Sequence, residues 1–243
     1  MTMKITFIGS SHGVPEPHRK CTCIMLEVGE KVYFIDMGTS AIDALRTRGI
    51  SIDAVQGIFI THMHGDHTNG LIQFVDLITW YFQTPDPVIC LPSEEAGAVI
   101  RRWLDVTLNM AHKEIRYRQT KPGVVFDDGT VKVTAFATQH CPNSHAYLVE
   151  AEGKSVLFTG DLRRPGVDFP LDAAKEPLDL VVCESAHFPA TEYLPVLEKC
   201  SVKKLCVTHY SNTFLASVLQ LQKELTALDI LMEMATDDFM LSL

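Results

Sequence analysis

The sequence lacks a cationic surface and a membrane-spanning run. Lys and Arg number 21 against 30 Asp and Glu, a formal net charge of −9. Broad nucleic-acid surfaces neutralise phosphates with clustered Lys and Arg, so this balance argues against a large folded nucleic acid as partner. It leaves room for a small anionic substrate, because a bound dication dominates its local field whatever the overall charge. No stretch approaches the roughly 18 consecutive apolar residues that span a bilayer. The opening MTMKITFIGSSHG reaches glycine too early to hold the longer apolar segment of a secretory signal. The expectation is a cytoplasmic protein with no membrane partner. A disulfide framework is missing too: the seven cysteines, an odd number, are scattered at 21, 23, 90, 141, 183, 200 and 206, and a chain of this length needs no such staples. They read as mostly reduced and mostly buried. There is no internal repeat and no low-complexity linker.

What is present suits one globular domain over residues 1–243, with 47% hydrophobic and 21% charged residues. Residues 3–9 alternate as a strand and run into a turn-rich loop. CIMLEVG and KVYFIDMG flank Glu30 as a hairpin, and AVQGIFITH is a strand that delivers the chain to His62. Helical spacing follows over 68–82, then a short strand in PVICLP and a helix over 93–109 with Ser93 as N-cap. VKVTAFATQH, HAYLVEA and KSVLFTGD are strand-like. LDLVVCES and KKLCVTH are apolar runs that end in polar residues, with a helical TEYLPVLEKC between them despite Pro195. A helix over 213–229 precedes late strands in ILMEM and FMLSL. A β-rich first half, a helix pair, a β-rich middle and an alternating end suggest two sheets with helices packed outside.

The densest chemistry is THMHGDH, residues 61–67, with three histidines and an aspartate in seven positions. Neutral imidazoles and carboxylates are the usual ligands of Zn²⁺ and its first-row neighbours. In extended backbone His62 and His64 point to the same side, while Gly65 lets the chain turn and aim Asp66 and His67 elsewhere. Four ligands from one loop do not easily surround one ion, so two adjacent ions are the natural reading. The missing ligands should lie at strand ends, where His140, Asp161 and His209 each follow an apolar run.

With these residues the sequence resembles the metallo-β-lactamase superfamily, whose motif is HxHxDH followed by a later His, Asp and His. The resemblance implies an α/β fold, a four-layer αββα sandwich of two mixed β-sheets flanked by helices, with the site at one edge. It places His62, His64 and His140 on one metal, Asp66, His67 and His209 on the second, and Asp161 between them. The implied cofactors are two divalent ions, Zn²⁺ first with Mn²⁺ or Fe as alternatives, because the same N/O ligands suit all three. Asp at the bridging position points away from the β-lactamases themselves toward the wider hydrolase branches.

A pair of ions about 3.5–4 Å apart activates water and stabilises both oxygens of a displacement, so hydrolysis is the expected reaction, with Asp66 and Asp161 positioning the nucleophile. GSSHGVPEP, HCPNSHAYLVE, FTGDLR and VTHYS resemble the tRNA 3′-processing endonucleases and the phosphodiesterases of phosphonate-degradation operons. The leading expectation is therefore a phosphodiesterase. Only 21 positions separate His140 from Asp161 and 48 separate Asp161 from His209. That spacing leaves no room for the tRNA-gripping arm or the extra nuclease domain of related groups, and a small or cyclic nucleotide-like phosphodiester is favoured. A lactone, thioester or other carboxylic-ester hydrolase is the first alternative, and a non-hydrolytic metal-binding or redox protein the second. The resembling groups include homodimers, though no feature of this sequence encodes one.

Around this set, His187 is a candidate general acid, and Glu184 either orients a metal-bound histidine or caps a strand end. Arg163 and Arg164 are candidate phosphate contacts, with surface solvation as the plainer reading. His12 and His18 lie on the first long loop, where His12 is a candidate rim residue. Cys21 and Cys23 resemble part of an extra zinc site in the phosphonate-operon enzymes, but Leu26 stands at the third place, which disfavours a structural zinc. His145 is a candidate pocket residue, with a buried or edge histidine as the plainer reading. Phe74, Trp80, Tyr81 and Phe82 are read as helix packing rather than a base-stacking platform.

Overall fold

The computed structural model describes residues 2–108 and 113–243. Six strands of the first sheet run in chain order: β1 (Met3–Gly9), β2 (Cys23–Val28), β3 (Lys31–Met37), β4 (Val55–Phe59), β5 (Val88–Leu91) and β6 (Arg116–Gln119). The second sheet holds β7 (Gly123–Asp127), β8 (Lys132–Ala137), β9 (His145–Ala151), β10 (Lys154–Phe158), β11 (Leu180–Ser185), β12 (Lys204–Tyr210) and β13 (Leu231–Met234). The last strand, β14 (Phe239–Ser242), returns to the first sheet and pairs antiparallel with β1.

Both sheets begin as antiparallel meanders and end as parallel strands joined by crossovers. The crossovers carry α1 (Ala41–Thr47), α2 (Gly65–Trp80) and α3 (Glu94–Val106) on the first sheet, and α4 (Pro165–Asp168), α5 (Leu194–Leu197) and α6 (Leu215–Leu225) on the second. Three apolar layers result. Phe7, Tyr33, Phe59, Phe126, Tyr147 and Phe158 fill the space between the sheets. Phe34, Ile58, Phe74 and Ile78 join the first sheet to its helices, and Leu157, Val181, Val207 and Leu221 join the second to its own. Alternate residues of one strand therefore serve different layers. That is why the parallel strands read as continuous apolar runs rather than alternating ones. The four-layer αββα sandwich expected from the resemblance is the fold observed.

Several boundaries differ from those expected. Helix α2 begins at Gly65 rather than 68, so Asp66 and His67 occupy its first turn and His64 is its N-cap. The helix can press that close because Gly38 and Gly70 have no side chains: a Cβ at Gly38 would fall 1.7 Å from the Asp66 carbonyl oxygen, and one at Gly70 1.9 Å from that of Thr39. Ser93 caps α3 as expected, its hydroxyl accepting from Ala96 N–H, and α3 ends at Val106. The expected continuation reaches Asn109, which lies outside the described residues. Pro195 falls in the first turn of α5, where its missing N–H is no loss. Segment 113–130, for which the sequence reading names no element, supplies β6 and β7. Strand β6 alternates Arg116 and Arg118 with Tyr117 at a sheet edge, so it offers little apolar signal. Among the described residues no helix is long and apolar enough to cross a membrane.

Candidate metal centre

Two adjacent loops and a helix start converge at one edge of the sandwich. Strand β4 stops at Phe59, and His62 through His64 continues extended until α2 turns Asp66 and His67 back toward His62. His140 lies three residues beyond β8, in the turn 138–144, and Asp161 three beyond β10, whereas His209 lies within β12. Strands β4, β8 and β10 therefore end sooner than the sequence suggests, and short segments carry His62, His140 and Asp161 the remaining distance. His62, His67, Asp161 and His209 are buried, Asp66 and His140 half-buried, and His64 exposed.

The seven residues form two facing groups. Nε2 of His62 lies 2.9 Å from Nδ1 of His64, and Nε2 of His140 lies 3.3 Å from the same Nδ1. On the other side, Nε2 of His67 lies 3.4 Å from Oδ2 of Asp66, and Nε2 of His209 lies 3.7 Å from it. Asp161 stands between. Its Oδ2 is 3.7 Å from His62 Nε2 and 3.6 Å from His140 Nε2, while its Oδ1 is 3.5 Å from His67 Nε2 and 3.3 Å from His209 Nε2.

This donor set fits a pair of divalent ions. Nitrogens about 2.1 Å from a tetrahedral ion stand roughly 3.4 Å from one another, close to the separations observed. A single proton cannot serve three converging ring nitrogens. His67 Nε2 is buried and without a hydrogen-bond partner, a costly state unless a cation completes it.

The protonation preferences agree. Burial, then the charge of His67, pushes His62 down to about 2, leaving a neutral ring with a free lone pair, and burial likewise lowers His140. Burial alone would raise Asp66 and Asp161. For Asp66 the close approach and charge of His67 outweigh it and hold the carboxyl at about 2, and for Asp161 the charges of His209 and His67 hold it well below the carboxylate range. Burial would lower His67, but Asp161 and Asp36 raise it instead, so the cluster favours positive charge at its centre.

Asp36 is a site residue that the sequence pattern did not single out. At the end of β3, with a left-handed φ of 56°, it accepts from Thr61 N–H at 2.8 Å and from His67 Nδ1–H at 2.7 Å. It thus fixes the ring whose Nε2 faces the centre, in the carboxylate–histidine arrangement typical of metal sites. The signal was available, since Asp36 closes the apolar run KVYFI just as Asp161 closes its own. His209 is held similarly, with Nδ1 bonded to the Ser11 carbonyl at 3.1 Å.

Other candidates are placed as follows. His187 is at the rim, its ring 4.7 Å from that of His140, and its Nδ1 donates to buried Glu184 at 2.8 Å. That hydrogen bond, against the effect of burial, raises His187 to about 9. Glu184 also accepts from the N–H groups of Leu162, Ala186 and His187, so it orients His187 and the exit from Asp161 rather than a ligand histidine. His12 accepts from Val14 N–H through Nδ1 and so donates through Nε2 to Glu16, which engages both ring nitrogens within its own loop. Arg163 and Arg164 are exposed and Arg164 pairs with Glu192, with no ion pair to the histidine cluster. His145 is buried beside Thr61. Among the described residues no ligand cluster includes Cys21 or Cys23. Phe74 packs in the core, whereas Trp80 and Tyr81 are exposed.

Residues 3–220 match the model of the Anti-Pycsar protein Apyc1 family. The chain belongs to that family. It is also similar to ribonuclease Z of Listeria innocua serovar 6a, with 29% identity over 174 residues covering 68% of this chain and 55% of the relative. Ribonuclease Z of Archaeoglobus fulgidus is 23% identical over 275 residues, covering 88% and 89%. The chain thus spans about half the length of the Listeria relatives it matches. Among solved structures, the metallo-β-lactamase-fold protein YhfI of Bacillus subtilis superposes with a TM-score of 0.78 at 16% identity, covering all of both chains. The human short-form tRNase Z gives 0.76 at 20% identity and 98% of both chains. A diphosphatase of the PhnP family gives 0.72 at 17% identity, covering 100% of this chain and 98% of the other. The fold is the metallo-β-lactamase fold, with a buried His/Asp cluster of metal-binding character at its edge.

Proposed function

We propose that the chain is a dinuclear metal-dependent phosphodiesterase acting on a cyclic nucleotide or a comparably small phosphodiester. The observation that carries the reading is the division of Asp161, one oxygen facing the nitrogens of His62 and His140 and the other facing those of His67 and His209. In this reading His62, His64 and His140 hold one ion, Asp66, His67 and His209 hold the second, and Asp161 is shared. Zn²⁺ is the first choice, with Mn²⁺ and Fe as alternatives. Two divalent ions in this position would supply positive charge to the phosphoryl oxygens and bring the pKa of water toward neutrality.

The chain's own groups do the rest. Asp36 keeps the His67 proton on Nδ1 and its lone pair on Nε2. Glu184 holds His187 by Nδ1, which leaves the Nε2 proton to be donated to the departing oxygen. Asp66 binds and orients at the mouth, beside Gly13 of the first loop.

Two observations support a small substrate. The interval from His140 to Asp161 is filled by the β9–β10 hairpin, turned by Glu152 and Gly153 with φ of 54° and 71°, and no arm projects from it. Membership of the Apyc1 family favours a cyclic nucleotide. Turnover of bis-p-nitrophenyl phosphate and of 3′,5′-cyclic nucleotides by metal-loaded protein, set against thioester and lactone substrates, tests the reading. Ester turnover without phosphodiester turnover would overturn it.

A further inference from the structure

Asp168 is a buried carboxylate with no cation against it. It closes α4 at 7% exposure, and among the described residues no Lys, Arg or His pairs with it. Its acceptors are filled by backbone instead: Oδ2 takes the N–H of Gln139 at 2.7 Å and of Arg163 at 3.0 Å, and Oδ1 takes the N–H of Arg164 at 3.1 Å. Burying a charged carboxylate is costly unless such bonds compensate, and these bonds come from two separate loops. Gln139 directly precedes His140, and Arg163 and Arg164 follow Asp161.

His140 needs such an anchor more than its neighbours do. Nδ1 of His62 meets Thr61 Oγ1 at 3.1 Å, Nδ1 of His67 meets Asp36, and Nδ1 of His209 meets the Ser11 carbonyl. His64 is placed by its position as the N-cap of α2. Among the described residues Nδ1 of His140 makes no hydrogen bond, so its ring is placed by its backbone and by contact with the rings of His62, His64 and His187. That backbone belongs to a turn closed on itself: Thr138 N–H donates to the Ser144 carbonyl at 3.0 Å and Ser144 Oγ to the Cys141 carbonyl at 2.9 Å.

We propose that Asp168 is a positioning residue of the metal centre. By tying the residue before His140 to those after Asp161, it sets the 3.6 Å separation of His140 Nε2 and Asp161 Oδ2, and with it the affinity for the ion these two share. The inference rests on the two-ion reading above.

Asp168→Asn keeps the size but replaces one acceptor oxygen with an NH₂ that faces N–H groups. Asp172→Asn is the control, an exposed carboxylate of the same segment paired with Lys175. Each protein is loaded with Zn²⁺, titrated with a chromophoric chelator, and loaded separately with Co²⁺ for its visible spectrum. In Asp168→Asn one ion should bind about 10–100-fold more weakly, as is usual when an outer partner of a metal site is lost, and the cobalt bands should shift. Asp172→Asn should match the wild type. A lower melting temperature with unchanged zinc affinity and cobalt spectrum overturns the proposal, since Asp168 would then be only a fold element. If Asp168→Asn does not fold, Asp168→Glu keeps the charge and moves it by one methylene, and the same two readings decide. A wild-type protein that retains none of zinc, manganese and iron refutes the two-ion reading itself, a result obtained before any variant is made.

Discussion

The two sheets reach the same site by different routes. The first contributes His62, His64, Asp66 and His67 from one turn between β4 and α2, and Asp36 at the neighbouring strand end holds both Thr61 and His67 of that turn. The second contributes His140, Asp161 and His209 from three separate places. Their supports are also separate: Asp168 holds the backbone beside the first two, Glu184 the exit from Asp161, and the Ser10–Ser11 backbone holds His209. Ser10 is in turn held by Arg19 of the same loop and by Asp237, far away in the chain. Candidate ligands adjacent in sequence share one turn and one carboxylate partner, whereas those far apart in sequence depend on several separate hydrogen-bonded contacts to come into register.

The strongest break of this comparison is to remove a ligand from either side. His64→Ala from the compact turn and His140→Ala from the dispersed set should each reduce phosphodiester turnover by more than the roughly 10–100-fold typical of outer partners, with circular dichroism unchanged. Activity retained in both would remove the site assignment. His187→Ala belongs to neither ligand set. It should slow hydrolysis of a nucleotide alkoxide leaving group by about 10²–10⁴-fold, but slow p-nitrophenolate release much less, because that group leaves without a proton. Equal losses on both substrates would exclude the general-acid role.

Asp36→Asn probes the compact side. It should weaken one ion about 10–100-fold while the fold persists, and unchanged affinity in a zinc competition titration would show that the helix start alone orients His67. The smallest effect is expected between the sheets, away from the site. Lys31 and Tyr33 of β3 donate to Asp128 in the β7–β8 turn at 2.9 and 2.7 Å. Burial raises the Asp128 carboxyl, but the Lys31 hydrogen bond and three others outweigh it and hold it at about 2, against about 3.9 when unfolded. Its stabilisation is therefore complete above about pH 4 and is lost as pH falls toward about 2. Asp128→Asn should cost on the order of 1 kcal/mol near neutrality, after discounting for partial exposure. Urea unfolding should show the difference from wild type closing over that acid window, and a difference independent of pH would deny the link its charged character.

The local half of the site was legible because its residues are neighbours in the chain. THMHGDH declares its donors, and apolar runs ending in His or Asp mark the others. Boundaries were less legible. Whether Asp66 and His67 lie in a loop or in the first helical turn depends on how closely α2 can approach Gly38, a contact between segments nearly thirty residues apart. Strand β6 was hidden because an edge strand with alternating arginines shows no apolar signature. Asp168 gave no signal at all: a carboxylate in VDFP looks like any surface acid until the backbone N–H groups around it are in place.

By itself the sequence determined the donor types, their order along the chain and the alternation that sorts strands into layers, since these follow from side-chain chemistry and residue spacing. Only the tertiary structure decided which oxygen of Asp161 faces which histidines, which ring nitrogens remain free, and which buried carboxylates hold the ligands in register. Those depend on distances of a few ångström between residues tens to hundreds of positions apart, which close packing sets and a linear pattern cannot encode.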